Sequence, residues 1–128
     1  NETAARKRAA DLMEYVGCGD YLDTEASAMS YGALKRLEIA RALAAEPKVI
    51  LLDEPAAGLN ATETSALEAL IRKIADQGIT VMLVEHDMKL VMGISDRLLV
   101  LNYGRVLAEG NPEEVRQNPD VIAAYLGG

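Results

Sequence analysis

Two short apolar runs separated by one helical pattern limit most strongly what this chain of 128 residues can fold into. The first run is Val49 to Leu52 and the second is Thr80 to Val84. Between them, apolar residues recur at the spacing of a helix face, at Leu67, Leu70, Ile71 and Ile74. We therefore predict a strand, a helix and a second strand, with both strands buried on both faces of a parallel sheet.

Further elements are predicted on the N-terminal side of this unit. Apolar residues follow helical spacing from Glu2 to Val16, and Gly17 is a candidate for the end of that helix. A loop-like connection runs from Gly17 to Ala28 and contains the single cysteine, Cys18, which we expect to be a partly buried apolar residue. Ser30 is placed to cap a second helix, which ends near Pro47.

On the C-terminal side, Asp87 is predicted to cap a short helix that reaches about Ile94. The run from Arg97 to Leu101, the turn "NYG" and the run from Val106 to Glu109 predict a hairpin. The stretches "NPEE" and "NPD" each begin a helix, with a capping Asn and a proline in the first turn, and the last helix is predicted to end at Gly127. The alternation of strands and helices predicts an α/β fold with a mainly parallel sheet, flanking helices and a terminal hairpin.

Composition excludes several classes of protein. The net charge of −7 argues against general binding to nucleic acid, which needs a basic surface. One cysteine provides neither an internal disulfide nor a metal cluster, and a reducing compartment is the simple interpretation. No apolar run approaches the ~18 residues of a membrane span, and no signal peptide is visible.

Polar side chains follow both predicted strands, at the sheet edge where ligands bind in folds of this class. Asp53 at a strand end suits magnesium, as a rigid carboxylate that acts through a water molecule. The adjacent Glu54 points differently and is a candidate for polarising an attacking water. The competing interpretation is that both are solvated carboxylates, and this dipeptide alone leaves the two at even odds.

Four further residues are candidates for nucleotide contacts. His86, the only histidine, is a candidate donor to a phosphate oxygen, although an isolated histidine after a strand is more often structural. Ser30 and Gly32 open a helix whose N-terminal amides suit a phosphate, although without further context the simpler interpretation, that Ser30 is only a helix cap, is favoured. Asn60, three residues before Glu63, has the spacing of a capping box and discriminates little.

Taken together and in this order, the motifs resemble the C-terminal part of an ATP-binding subunit of an ABC transporter. "MSYGALKRLEIARAL" is similar to the signature motif and its helix, and "VILLDEP" to the Walker B strand with the catalytic glutamate. "AAGLN" is similar to the D-loop, and "VMLVEHD" to the strand that leads into the switch histidine. "EPAAGLN", "EHDMKLVMGISDR" and "NPDVIAAYLG" resemble, more narrowly, the ATPase subunits of branched-chain amino-acid importers.

The resemblance implies the C-terminal part of a P-loop NTPase fold, with ATP and Mg²⁺ as cofactors. Asp53 would hold magnesium through water, Glu54 would be the catalytic base, and His86 would contact the γ-phosphate. Ser30 and Gly32 would bind the γ-phosphate of a nucleotide held by a second ATP-binding subunit, and Asn60 would face that subunit.

The partners that the resemblance implies are a second ATP-binding subunit and transmembrane permease subunits, with the chain peripheral on the cytoplasmic face of the membrane. The signature departs from Leu-Ser-Gly-Gly-Gln at Met29, Tyr31 and Ala33, while Ser30 and Gly32 are kept. Tyr31 lacks the flexibility of the usual glycine, and Ala33 lacks the usual amide.

The family's phosphate loop, Gly-x-x-x-x-Gly-Lys-Ser/Thr, has no match in these 128 residues, and no glycine is followed by lysine. We therefore expect a fragment: one partial domain over 1–128, with the signature helices in 1–46 and the strand-containing core in 47–128. In the family, the backbone amides and the lysine of the phosphate loop supply most of the binding to a triphosphate. We therefore expect the chain alone to bind ATP weakly and hydrolyse it at no useful rate. Uncovered strand edges and apolar faces predict self-association.

Three other interpretations remain. A response-regulator receiver would need an acidic pair after an early strand, and the first 45 residues predict no strand. A non-transport ABC ATPase would use the same motifs, although the acidic charge and the C-terminal sequence disfavour it. A non-catalytic half-domain that only assembles with a second fragment would also lack the phosphate loop.

Overall fold

The computed structural model describes residues 2–21 and 29–126, and it divides the chain into two compact units, Asn1–Val84 and Glu85–Gly128. The helices and strands of the first unit are α1 (Glu2–Tyr15), α2 (Tyr31–Leu43), β1 (Val49–Asp53), α3 (Ala61–Asp76) and β2 (Thr80–Val84). Those of the second unit are α4 (Met88–Ile94), β3 (Leu98–Asn102), β4 (Arg105–Gly110), α5 (Pro112–Arg116) and α6 (Pro119–Val121), which continues as a π-helix over Ile122–Leu126.

The strand–helix–strand unit predicted from the sequence is present. β1 and β2 pair in parallel, with Val49 opposite Thr80 and Asp53 opposite Val84. The connecting helix α3 buries the four apolar residues of its predicted face, Leu67, Leu70, Ile71 and Ile74. The face forms because residues three and four apart lie on the same side of a helix, so α3 contributes an apolar stripe to the core.

The prediction that both strands are buried on both faces is wrong. Ile50 is buried, but its neighbours Val49 and Leu51 on β1 are exposed, and so are Met82 and Val84 on β2. Successive side chains of a strand point to opposite faces of the sheet, so exposure of alternate residues means that one face lies open among the described residues. A continuous apolar run predicts burial only where both faces are covered.

The N-terminal helices follow the predicted pattern, but Cys18 is more deeply buried than predicted. α1 ends at Tyr15, and Gly17 then adopts a left-handed conformation (φ +82°) in which its amide donates to the Glu14 carbonyl. Cys18 is fully buried, deeper than predicted, and its thiol contacts the Ala33 carbonyl oxygen at 3.6 Å. The predicted connection from Gly17 to Ala28 is described only as far as a 3₁₀ turn at Gly19–Tyr21, and residues 22–28 lie outside the described part.

The second unit contains the predicted hairpin. β3 and β4 pair antiparallel, and a two-residue loop, Tyr103-Gly104, joins them with both residues at positive φ, as in a type I′ turn. β3 and β4 therefore form a two-stranded antiparallel sheet of their own, and β1 and β2 form the parallel one. A core of Val100, Val115 and Val121 packs the hairpin against α5 and α6.

Both C-terminal helix starts are confirmed. Asn111 and Glu114 form a reciprocal capping box at α5, and the Asn118 side chain accepts from the amides of Asp120 and Val121 at α6. The predicted end of the last helix at Gly127 lies outside the described residues. Within residues 2–21 and 29–126, no helix has both the length and the apolarity to cross a membrane.

Candidate functional site

The segment that follows β1 carries two candidate residues and is strained at one of them. Asp53 is the last residue of β1, and Glu54 comes next with a left-handed backbone (φ +47°) that non-glycine residues rarely adopt. The Glu54 amide donates to the Val84 carbonyl at 2.7 Å, and its carbonyl accepts from Ala57 at 3.1 Å. Both side chains are exposed, and the strain is of the kind found at active sites.

The donor set around Asp53 bears on how this chain would hold magnesium. The described residues contain no group of three or more His, Cys, Asp or Glu side chains able to hold a metal ion. Magnesium in nucleotide sites is commonly held by one or two carboxylates, with waters and substrate phosphates completing its shell. The exposed carboxylate of Asp53 fits such a partial ligand, and no complete protein cage is present in the described residues.

Ser30 and Gly32 lie at the start of α2, as predicted. The Ser30 hydroxyl oxygen accepts from the Ala33 amide at 3.1 Å, which makes Ser30 the N-cap of the helix. Gly32 is buried, and a side chain placed there would overlap the carboxylate of Glu63. The cap and the phosphate-binding role predicted for Ser30 are compatible, because capping uses one amide of the first turn and leaves others.

Asn60 forms the capping box predicted from its spacing. Its side-chain oxygen accepts from the Glu63 amide at 2.8 Å, and Glu63 Oε1 accepts from the Asn60 amide at 3.1 Å. The structure brings this capping box to the start of α2. A cavity of about 70 Å³ there is lined by Ser30, Gly32, Lys35, Arg36, Leu59, Glu63 and Leu67.

A wider cleft of about 380 Å³ lies along α1, where it is lined by Ala4, Lys7, Arg8, Asp11, Leu12 and Tyr15.

His86 is held by its neighbour in sequence. The side chain of His86 is exposed, whereas that of Glu85 is only 2% exposed. Glu85 Oε1 accepts from the backbone amides of His86 at 3.0 Å and Asp87 at 3.4 Å, and it lies 3.8 Å from His86 Nδ1. Asp87 then caps α4 by accepting from the Leu90 amide, so His86 is fixed at the turn just before that helix.

Three residues that the sequence did not mark as functional emerge from the structure. Glu85 orients the backbone at His86, Glu63 lies against Gly32, and the ring of Tyr31 lies against Gly58. Glu63 was visible only as a capping residue and Tyr31 only as a departure from the usual signature. The Glu63 and Tyr31 contacts connect segments far apart in sequence, so no local spacing predicts them, whereas Glu85 acts on the two residues that follow it.

Comparison with known proteins bears on the family and the fold of this chain. Residues 1–57 match the family described as ABC transporter, and residues 105–128 match the family described as Branched-chain amino acid ATP-binding cassette transporter. The crystal structure of an ATP-binding cassette of an ABC transporter in its ADP conformation superposes with a TM-score of 0.85 at 30% identity, over 95% of this chain and 50% of that one. The chain therefore corresponds to the C-terminal part of an ABC-transporter ATP-binding domain.

Within this family, the chain is similar to the branched-chain amino-acid group. It is 51% identical, over 98% of its length, to the high-affinity branched-chain amino acid transport ATP-binding protein LivG of Salmonella typhimurium. It is 50% identical, over 99% of its length, to the corresponding protein BraF of Pseudomonas aeruginosa. The chain spans about half the length of these relatives. The family and the fold class predicted from the motifs are thereby confirmed.

Proposed function

We propose that this chain is the C-terminal half of the ATP-hydrolysing subunit of an ABC importer for branched-chain amino acids. The observation that carries the proposal is the pair Asp53 and Glu54 at the carboxyl end of β1, with Glu54 in a strained turn. In parallel α/β sheets this edge is where ligands bind, and strain persists where the surrounding structure holds a residue in place. The names of the relatives support the substrate class.

In this proposal each candidate residue has one task. Asp53 binds Mg²⁺ through water, and the ion when bound neutralises charge on the phosphates of ATP. Glu54 accepts a proton from, or orients, the water that attacks the γ-phosphate, and an exposed carboxylate is accessible for that task. His86 donates to a γ-phosphate oxygen from the turn that Glu85 fixes.

The start of α2 serves a different nucleotide. Ser30 and Gly32 present the N-terminal end of the helix, with its free amides and positive dipole end, to the γ-phosphate of ATP held by a second ATP-binding subunit. Asn60 and its loop face that subunit. Transmembrane permease subunits complete the assembly, and the subunit lies peripherally on the cytoplasmic face of the membrane. The charge of −7 is consistent with a role that involves no nucleic acid.

The 128 residues supply only part of the nucleotide site. Without a phosphate loop, the neighbouring carboxylates of Asp53 and Glu54 meet the triphosphate with no lysine or amide cradle on the same chain. The proposal therefore includes weak binding of ATP by the chain alone and a requirement for a phosphate-loop segment.

A fusion tests this proposal directly. The chain is joined to the part of Salmonella typhimurium LivG that precedes the matched half, and Mg²⁺–ATP binding and phosphate release are measured. We expect the fusion to bind and hydrolyse ATP, and Glu54→Gln, a variant of the same shape, to bind ATP but lose at least about a hundredfold in kcat. The unfused chain is the control. Micromolar affinity of the unfused chain for Mg²⁺–ATP, or undiminished hydrolysis by Glu54→Gln, would contradict the proposal.

A non-catalytic assembly module is the second candidate, and the open face of the parallel sheet favours it. Val49, Leu51, Met82 and Val84 expose apolar side chains there, and a face of this kind binds another apolar surface. Both candidates predict association with the LivG segment, but only the first predicts hydrolysis that depends on Glu54. A fusion that folds and does not hydrolyse ATP would favour the assembly module.

A further inference from the structure

The first two residues of α2 contact two residues that come after β1 in sequence, one in the loop 54–60 and one in the first turn of α3. The ring of Tyr31 lies on Gly58: a side-chain carbon added at Gly58 would be 2.9 Å from Tyr31 Cε1 and 3.5 Å from Cζ. Gly32 lies on Glu63 in the same way, with an added carbon 3.1 Å from Glu63 Cδ and overlapping Oε2. We propose that Tyr31 and Glu63 are positioning residues that lock the start of α2 to the loop 54–60; these two contacts are called the clamp.

The Tyr31 contact is more than burial of an aromatic side chain. Tyr31 is 51% exposed, so its ring gains little from the core, and its packing surface is the backbone of Gly58. Lys35, one turn later on α2, holds its ammonium 5.3 Å from the ring centroid. Gly58 has φ +79°, and any other residue would be strained there and would collide with the ring.

The Glu63 contact joins the start of α2 to the first turn of α3, directly after loop 54–60. Its Oε1 is engaged by the Asn60 amide in the capping box of α3, which leaves Oε2 beside Gly32. The capping box is reciprocal, since the Glu63 amide also donates to the Asn60 side-chain oxygen. The carboxylate at the start of α2 is also favourable for the positive end of that helix dipole.

The clamp couples the position of loop 54–60 to that of the start of α2. Loop 54–60 begins at Glu54 and ends at Asn60, and its backbone hydrogen bonds include those from the Ala57 amide to the Glu54 carbonyl and from the Leu59 amide to the Ala56 carbonyl. Through Tyr31 the first turn of α2 contacts this loop at Gly58, and through Glu63 it contacts the residue that caps the end of the loop at Asn60. Resting on the function proposed above, the clamp transmits the arrival of a phosphate at Ser30 and Gly32 to the loop that carries Glu54.

Nuclear magnetic resonance of the 128-residue chain tests the clamp without requiring catalysis. In the unsubstituted chain we expect cross-relaxation between the Gly58 α-protons and the Tyr31 ring, and a ring-current shift of those α-protons. Tyr31→Ala should remove the shift and increase amide exchange at Leu59 by about tenfold, while Ile74 in α3 keeps its protection. Tyr31→Phe keeps the ring and should restore both the ring-current shift and the Leu59 exchange rate. Glu63→Ala should also lose the protection of the Leu59 amide, whereas Glu63→Gln, which keeps the capping geometry, should retain it.

Titration with millimolar Mg²⁺–ATP separates the clamp from the proposed function. We expect shifts of the Ser30–Ala33 amides in every variant, spreading to Gly58–Asn60 in the unsubstituted chain and Tyr31→Phe but not in Tyr31→Ala. Shifts that never appear at Ser30–Ala33 count against the phosphate site and leave the exchange data to decide the clamp. The clamp is overturned if the unsubstituted chain lacks the Gly58–Tyr31 cross-relaxation, or if Tyr31→Ala leaves Leu59 exchange unchanged.

Discussion

The open face of the parallel sheet and the clamp between α2 and loop 54–60 are both in the first unit, yet they are completed to different degrees. On β1, Ile50 is 5% exposed while Leu51, the next residue, is 62% exposed. At the clamp, by contrast, a ring, a capping box and two glycines meet within this chain. The difference indicates that loop 54–60 is positioned by contacts within this chain. The parallel sheet, by contrast, has one face available to another surface.

Truncation of a buried leucine is expected to give the largest loss of stability. Comparing it with truncation of a leucine on the open face measures how much less that face contributes to stability. Leu67 on α3 is 1% exposed, so Leu67→Ala should lower the free energy of unfolding by about 2–5 kcal/mol. Leu51→Ala is the matched control on the open face and should change it by less than about 0.5 kcal/mol. Urea unfolding of both variants checks this, and equal losses would mean that the face containing Leu51 is covered in solution.

Self-association should depend on the open face. Leu51 and Met82 are paired across β1 and β2 and are both exposed, at 62% and 60%. Replacing both with serine removes apolar area from the surface, and we expect the dissociation constant for self-association to rise at least about tenfold. Sedimentation velocity over a concentration series measures it. An unsubstituted chain that stays monomeric at high concentration would show that this face does not associate.

The capping boxes should contribute a smaller and more local amount. Asn60→Ala removes the acceptor for the Glu63 amide and should cost about 1 kcal/mol, while Asn60→Asp should retain most of the cap. Asn111→Ala removes the equivalent acceptor at α5, in the second unit. Hydrogen exchange distinguishes the two: Asn60→Ala should loosen Leu59 as well as α3, and Asn111→Ala should leave Leu59 unchanged. Equal protection of the Leu59 amide in both variants would show that the Asn60 cap does not contribute to holding loop 54–60.

The smallest expected effect is an alkaline one at Tyr15. Burial raises the pKa of the Tyr15 phenol, and the negative charge of Asp76 raises it further. The folded chain therefore holds the phenol proton more tightly than the unfolded chain, so this stabilisation is complete below pH ~10 and is lost as the pH rises through the folded pKa. Tyr15→Phe keeps the ring under Lys73 and should lose less stability than the parent above that pH. Thermal unfolding at a series of pH values tests this, and parallel curves would contradict it.

Much of the fold was predictable because its signals are local. The face of α3 follows from four apolar residues at helical spacing, and its start follows from Asn60 and Glu63 three residues apart. The hairpin follows from two apolar runs around "NYG". The open face of β1 was not predictable, because a continuous apolar run looks the same whether one or both faces are covered.

The sequence by itself determined the family, through motifs whose spacing reflects local chemistry: a capped helix start, a strand ending in Asp53 and Glu54, and a histidine after the next strand. Only the tertiary structure decided that Glu54 occupies a strained turn whose amide donates to the Val84 carbonyl, and that Tyr31 lies on Gly58. The physical reason is distance along the chain. Caps and periodicity act over three or four residues, whereas the clamp joins residues more than 25 positions apart, which only folding brings into contact.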